Sequence, residues 1–189
     1  MSELFELDSY LVRRKVLKIL GAGFHVYNDA GKVVAYSAQK AFKLKEDIRV
    51  FANENETEPL MRIQARQVID FSACYDMVDE SDGAMIGSAR RKGMKSLLRD
   101  SWVLLDADGR SIATLQEDNM VMALLRRFLS GLIPQSFHIG EGSSAVSLHQ
   151  HFNPFIYRLQ VSIPESCQID RRLIFGLVVL IAAIEGRQS

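Results

Sequence analysis

Apolar residues in this chain come in short runs separated by polar turns, the pattern of a β-rich domain, and only four prolines interrupt it. Tyr10–Ile19 opens the series. As a strand it would place Leu11, Arg13, Lys15, Leu17 and Ile19 on one face and Tyr10, Val12, Arg14, Val16 and Lys18 on the other. Gly21 and Gly23 break that run. Phe24–Tyr27 and Lys32–Ser37 then flank Asn28-Asp29-Ala30-Gly31, where Asn and Asp tolerate turn geometry and Gly supplies positive φ. Phe42–Leu44, Ile48–Phe51 and Leu60–Arg66 read as further strands, with Asn53–Pro59 as a polar loop. Two more hairpins follow. Ala73–Val78 and Ala84–Arg90 meet across Asp79–Gly83, and Ser101–Leu105 and Ser111–Glu117 meet across Asp106–Gly109. An Asx-rich turn ending in Gly thus recurs at unequal intervals, which predicts a meander rather than a solenoid. Ser136–Ile139, Ala145–His149 and Phe155–Ile163 complete the strands.

Two segments follow a helical rule instead. Asn119–Leu129 has apolar or long side chains at i, i+3, i+4 spacing (Met120, Ala123, Leu124, Arg127, Phe128) and predicts an amphipathic helix that packs across the sheet or plugs an end of a barrel. Leu173–Ile184, LIFGLVVLIAAI, contains no polar side chain at all. Twelve helical residues span about 18 Å, whereas a bilayer core of about 30 Å needs roughly twenty. Arg171 and Arg172 close one end, and Glu185 and Arg187 the other. The run is therefore expected to be a buried core element: Val178, Val179 and Ile181 would suit a strand, but Ala182-Ala183 and the caps favour a helix, and a helix apolar all round must be surrounded on all sides. Asp170 is a plausible N-cap and Gly186 a plausible C′ residue. Leu173, Phe175, Leu177, Leu180 and Ile181 are the expected centre of the core.

Composition narrows the picture. The 189 residues are 48% hydrophobic and 24% charged, as suits one globular domain over 1–189 with a core from about 10 to 185. Lys+Arg and Asp+Glu are both 23, so any anionic partner must be met by a local patch. Nothing global favours nucleic acid. Cys74 and Cys167 are too few for a disulfide framework and are not spaced as zinc ligands. MSELFELDSYLVRRK lacks the basic-then-apolar order of a signal peptide. With no run long enough to span a bilayer, the expected location is the cytoplasm, or a peripheral position at a membrane.

Candidate chemistry is sparse. The sequence has no G-x-S-x-G and no phosphate-cradling glycine loop, and neither Cys sits in a recognisable catalytic pattern. The expectation is a non-enzymatic chain with no cofactor. The acidic turns do not continue into a calcium loop. His149 and His151 share a strand face but need a third ligand to hold a metal. The best charge cluster is Arg90, Arg91, Lys92 and Lys95 with Arg99. Cations beside a glycine-containing turn suit a lipid phosphate; the alternative is a solvated turn whose charges protect a strand edge. Arg171 and Arg172 stand at the positive end of a helix dipole, costing about 0.3–1 kcal/mol each if exposed. They require an acidic partner, for which Asp170 is the simplest choice. Arg13, Arg14, Lys15 and Lys18 form a third basic group, divided between two strand faces.

The order YLVRRKVLKILG, VYNDAGKVV, GSARRKGMKSLLRDSWVLLDADG and DRRLIFGLVVLIAAIE resembles the tubby C-terminal-like superfamily, in its LURP-one-related and phospholipid scramblase-like branch. The resemblance runs from about Tyr10 to Glu185 and is most specific from Ile86 to Gly109 and in the terminal helix. It implies a closed antiparallel barrel of about twelve strands around a central hydrophobic C-terminal helix. It also brings phosphoinositide-binding and lipid-moving relatives into view, but no one reaction. Pro164–Asp170 is short and poor in acidic residues where the scramblases carry a calcium-loop segment, and their Pro-rich and Cys-rich N-terminal extensions are not seen. The functional expectation is a binding module for phospholipid headgroups or a protein partner, acting through basic surface clusters. The alternatives are a scramblase-like activity and a carrier of a small apolar ligand.

Overall fold

The computed structural model describes residues 2–15, 22–39, 48–66, 73–91, 101–117, 135–153 and 156–185. The expected strand at Phe42–Leu44, the helix at Asn119–Leu129, the end of the first strand beyond Lys15, and Gly186 lie outside the described residues.

A 3-10 turn at Glu3–Glu6 leads into twelve strands. They are β1 (Ser9–Lys15), β2 (Ala22–Tyr27), β3 (Val33–Gln39), β4 (Ile48–Phe51), β5 (Pro59–Ala65), β6 (Cys74–Asp79), β7 (Met85–Arg91), β8 (Trp102–Asp106), β9 (Ser111–Glu117), β10 (Ser136–Ile139), β11 (Val146–His151) and β12 (Ile156–Ser162). Each strand pairs antiparallel with its neighbour in sequence, and β1 pairs with β12 to close the barrel. The helix α1 (Arg171–Glu185) follows.

Local chemistry fixes the hairpins. The amides of Gly31, Gly83 and Gly109 donate to the carbonyls of Asn28, Asp79 and Asp106 at 2.9, 2.9 and 3.0 Å. The same Asn28 and Asp106 side chains accept from the amides of Lys32 and Arg110 at 2.9 and 2.8 Å. At Gly109 the chain turns at φ +82°, which a residue with a Cβ resists. The register shifts between Val26 and Tyr27, Val50 and Phe51, Met77 and Val78, and Leu104 and Leu105. All four bulges lie near this hairpin rim, where extra local twist helps a sheet curve into a barrel.

Alternation decides what faces inward. Tyr10 and Val12, Phe24 and Val26, Met61 and Ile63, Tyr75 and Met77, Phe137 and Ile139, and Leu159 and Val161 are all buried at i, i+2 spacing. An eight-strand barrel is filled by its own side chains, whereas sixteen or more strands leave a channel. Twelve strands leave room for one helix, and α1 occupies it: every residue from Leu173 to Ala183 is buried. Leu177 and Leu180 are wholly enclosed, with Leu173, Phe175 and Ile181 scarcely more exposed. Phe175 meets Phe5 and Tyr10 edge-on at centroid distances of 6.0 and 5.9 Å, so the N-terminal turn closes the barrel over the start of the helix. Helix and wall approach closely at Gly176. A Cβ there would fall well inside van der Waals contact of Met77 Sδ and 2.9 Å from its Cε.

Candidate functional site

Because α1 fills the interior, chemistry must be sought at the rims and on the outer wall. The hairpin rim, where the helix begins, holds its charges in defined pairs. Asp170 caps α1: its carboxylate accepts from the Arg172 amide at 2.8 Å, and its carbonyl accepts from the amides of Leu173 and Ile174. The Arg172 guanidinium donates to Asp170 at 2.7 Å and, from Nη1, to Asp79 at 2.9 Å. Arg171 instead donates to the Leu7 carbonyl and to the Asp8 carboxylate. The unfavourable position of two cations at a helix N-terminus is thereby compensated within the fold. Asp170 serves Arg172 as the sequence suggests, but Asp8 and Asp79, 163 and 93 residues distant in sequence, complete the set.

Asp79 is the more constrained carboxylate. Burial pushes its pKa up, but hydrogen bonds from the Ser81 hydroxyl and amide and the Arg172 guanidinium outweigh that and hold it below its ordinary value. The hydrogen bond to Asp170 is the chief reason that the Arg172 guanidinium is pushed up, with Asp79 adding to it. A carboxyl lowered on folding adds stability that is present above its unfolded pKa, near 3.8, and lost as pH falls through the folded value. Asp79→Asn keeps the Ser81 acceptor but removes the charge. It is expected to cost about 1–3 kcal/mol at pH 7, with the gap to the unmodified chain closing below about pH 4. Urea melts at the two pH values check this; an unchanged gap would contradict it.

The described part of the basic block, Arg90 and Arg91, lies at the opposite end of the barrel. Arg90 projects outward from the end of β7 and is exposed, and Arg91 beside it is half-buried. Lys92, Lys95 and Arg99 lie outside the described residues. Within the third basic group, Arg14 faces inward, its guanidinium 5.4 Å from the centroid of the Phe24 ring, while Arg13 faces the outer wall. Charge is unevenly divided along the barrel axis. Asp29, Glu54, Glu58, Asp82, Asp108 and Glu165 stand at the hairpin rim, where the cations Lys32, Arg110, Arg171 and Arg172 are held in ion pairs, whereas Arg13, Arg49, Arg66, Arg90 and Arg158 lie on the other half of their strands or just beyond, with Asp76 paired to Arg66.

His149 and His151 do share the outer face of β11, their rings edge-on at 5.2 Å. Ser136 Oγ lies 2.9 Å from His149 Nδ1. Among the described residues no group of three or more His, Cys, Asp or Glu is gathered to hold a metal. Cys74 and Cys167 are free thiols. Among the described residues the surface has shallow concavities. One of about 320 Å³ lies between Ser2, Phe5, Pro59, Leu60, Asp79 and Ser81, and one of about 350 Å³ lies along Ser111–Thr114, Gly140 and Glu141.

A model of the LURP-one-related family matches residues 33–182, most of the chain and ten of the twelve strands, β3 to β12. The protein belongs to the LURP-one-related family. This family sits in the tubby-like superfamily, and the closed barrel around α1 is what that membership implies. No curated protein and no solved structure matches the chain. Among the described residues of this LURP-one-related protein no helix is long and apolar enough to cross a membrane. Sequence reasoning placed the core helix and its cap but missed Asp8 and Asp79. Each acts across the fold, and nothing in local spacing marks it.

Proposed function

We propose that this LURP-one-related barrel is a non-enzymatic binding module that meets anionic phospholipid headgroups through Arg90, Arg91, Lys92, Lys95 and Arg99. The observation that carries the reading is the uneven division of charge along the barrel axis in a chain of zero net charge. An anionic surface attracts one end and repels the other, so it orients the barrel as well as holding it. The filled interior supports an external site over a carrier cavity. Each basic residue near an anionic membrane contributes about 1 kcal/mol.

Substituting Arg90, Lys92 and Lys95 together with Gln is therefore expected to weaken co-sedimentation with phosphatidylserine- or phosphoinositide-containing vesicles on the order of 100-fold at low salt. Binding should fade as salt rises. Equal and negligible binding to anionic and phosphatidylcholine vesicles would overturn the lipid reading and leave a protein partner as the ligand.

A further inference from the structure

The seam where the barrel closes holds a second, unassigned cluster. Arg13 on β1 is directly opposite Arg158 on β12, and both face outward. The row continues at both ends: Arg13 pairs with His25 on β2, and Arg158 with His151 on β11. Four adjacent strands thus present His25, Arg13, Arg158 and His151 side by side. Side chains directly opposite in an antiparallel pair have Cβ atoms about 4.5–5.5 Å apart, and like charges there are destabilising.

Nothing among the described residues neutralises the pair. Neither Arg13 nor Arg158 forms a hydrogen bond or ion pair there, and the Nε of each is closed to solvent without an acceptor. Both side chains remain half-exposed. The neighbouring outward positions Leu11, Tyr27 and Gln160 carry no charge. His25 Nε2 lies 2.8 Å from the carboxylate of Glu54, a loop residue outside the row. An Nε donor closed to solvent without an acceptor is costly, and two guanidinium groups side by side with their outer nitrogens open to solvent suit an anion.

We propose that the β1–β12 seam is an oxyanion site in which Arg13 and Arg158 together bind one phosphate group at the outer wall. Arg presents planar donor forks that match phosphate oxygens, and two of them balance a dianion where a single carboxylate would leave excess charge. His151 adds a donor at the edge. The site is independent of the Arg90 cluster, because β1 and β7 stand on opposite sides of the twelve-strand ring.

The test is thermal unfolding of the full chain in inorganic phosphate against chloride at matched ionic strength. Phosphate is expected to raise Tm by about 2–4 °C or more. Arg158→Gln is expected to abolish that rise while melting no lower, and preferably higher, in chloride, because it removes the repulsion. Arg13→Gln should behave alike, whereas the Arg90, Lys92 and Lys95 triple variant should keep the response. No rise above chloride in the unmodified chain, or the same rise in Arg158→Gln, would overturn the site. Vesicles identify the source of the phosphate. Loss of phosphoinositide-vesicle binding in Arg158→Gln assigns it to a lipid headgroup, and unchanged vesicle binding beside a lost Tm response assigns it to a soluble phosphorylated ligand.

Discussion

A chain that ends at Asp170 is expected to show no cooperative melt. The truncation removes α1, whose residues from Leu173 to Ala183 are all buried. Burying one large aliphatic or aromatic side chain contributes about 1.5–3 kcal/mol, and a whole domain is stable by only about 5–15 kcal/mol. Loss of Phe175, Leu177, Leu180 and Ile181 alone removes a stabilisation of that order. It also leaves the inward side chains of the strands lining an empty barrel. Deletion further strands Asp8 and Asp79 without Arg171 and Arg172. The expected result is a broad, non-sigmoidal thermal trace and strong dye binding by exposed apolar surface. A sharp transition with an undiminished urea m-value would show that the barrel stands without the helix.

Gly176→Val is the point substitution within α1 whose sign depends most directly on the barrel wall. On propensity alone it should help, because glycine disfavours a helix interior by about 1 kcal/mol relative to alanine and valine is intermediate. The wall decides otherwise. Met77 is wholly buried on β6, and its Sδ, Cε and Cγ crowd the position of the missing Cβ. Overpacking of this kind costs about 1–3 kcal/mol. A surface helix would gain stability from the same change. A net loss of about 2 kcal/mol, read by urea titration, is therefore expected only if the helix lies inside the barrel.

Much of the fold is legible in the sequence, for identifiable reasons. Turns are local, so Asn28–Gly31, Asp79–Gly83 and Asp106–Gly109 announced their hairpins by composition, and Ile48–Phe51, Ser111–Glu117 and Ser136–Ile139 emerge as strands with the expected bounds. The burial of α1 follows from its length and charged ends. Closure is not local. The pairing of Arg13 with Arg158 depends on β1 meeting β12, and neither residue's neighbours in sequence reveal it. The same is true of Arg172 and Asp79, which are joined only because the helix threads the barrel beside the β6 turn. The candidate site is thus legible where it is a run of cations, at Arg90 and Arg91, and illegible where register assembles it.

The placement of α1 inside the wall is the claim on which the external sites depend. A double-mutant cycle between Gly176→Val and Met77→Ala tests it most directly. Met77→Ala opens a cavity and is expected to cost about 2–5 kcal/mol alone. In that background the valine fills space instead of colliding, so its cost should vanish or turn to a gain. The predicted coupling is at least about 2 kcal/mol in favour of the double variant. Additive losses, within about 0.5 kcal/mol, would contradict contact between helix and barrel wall.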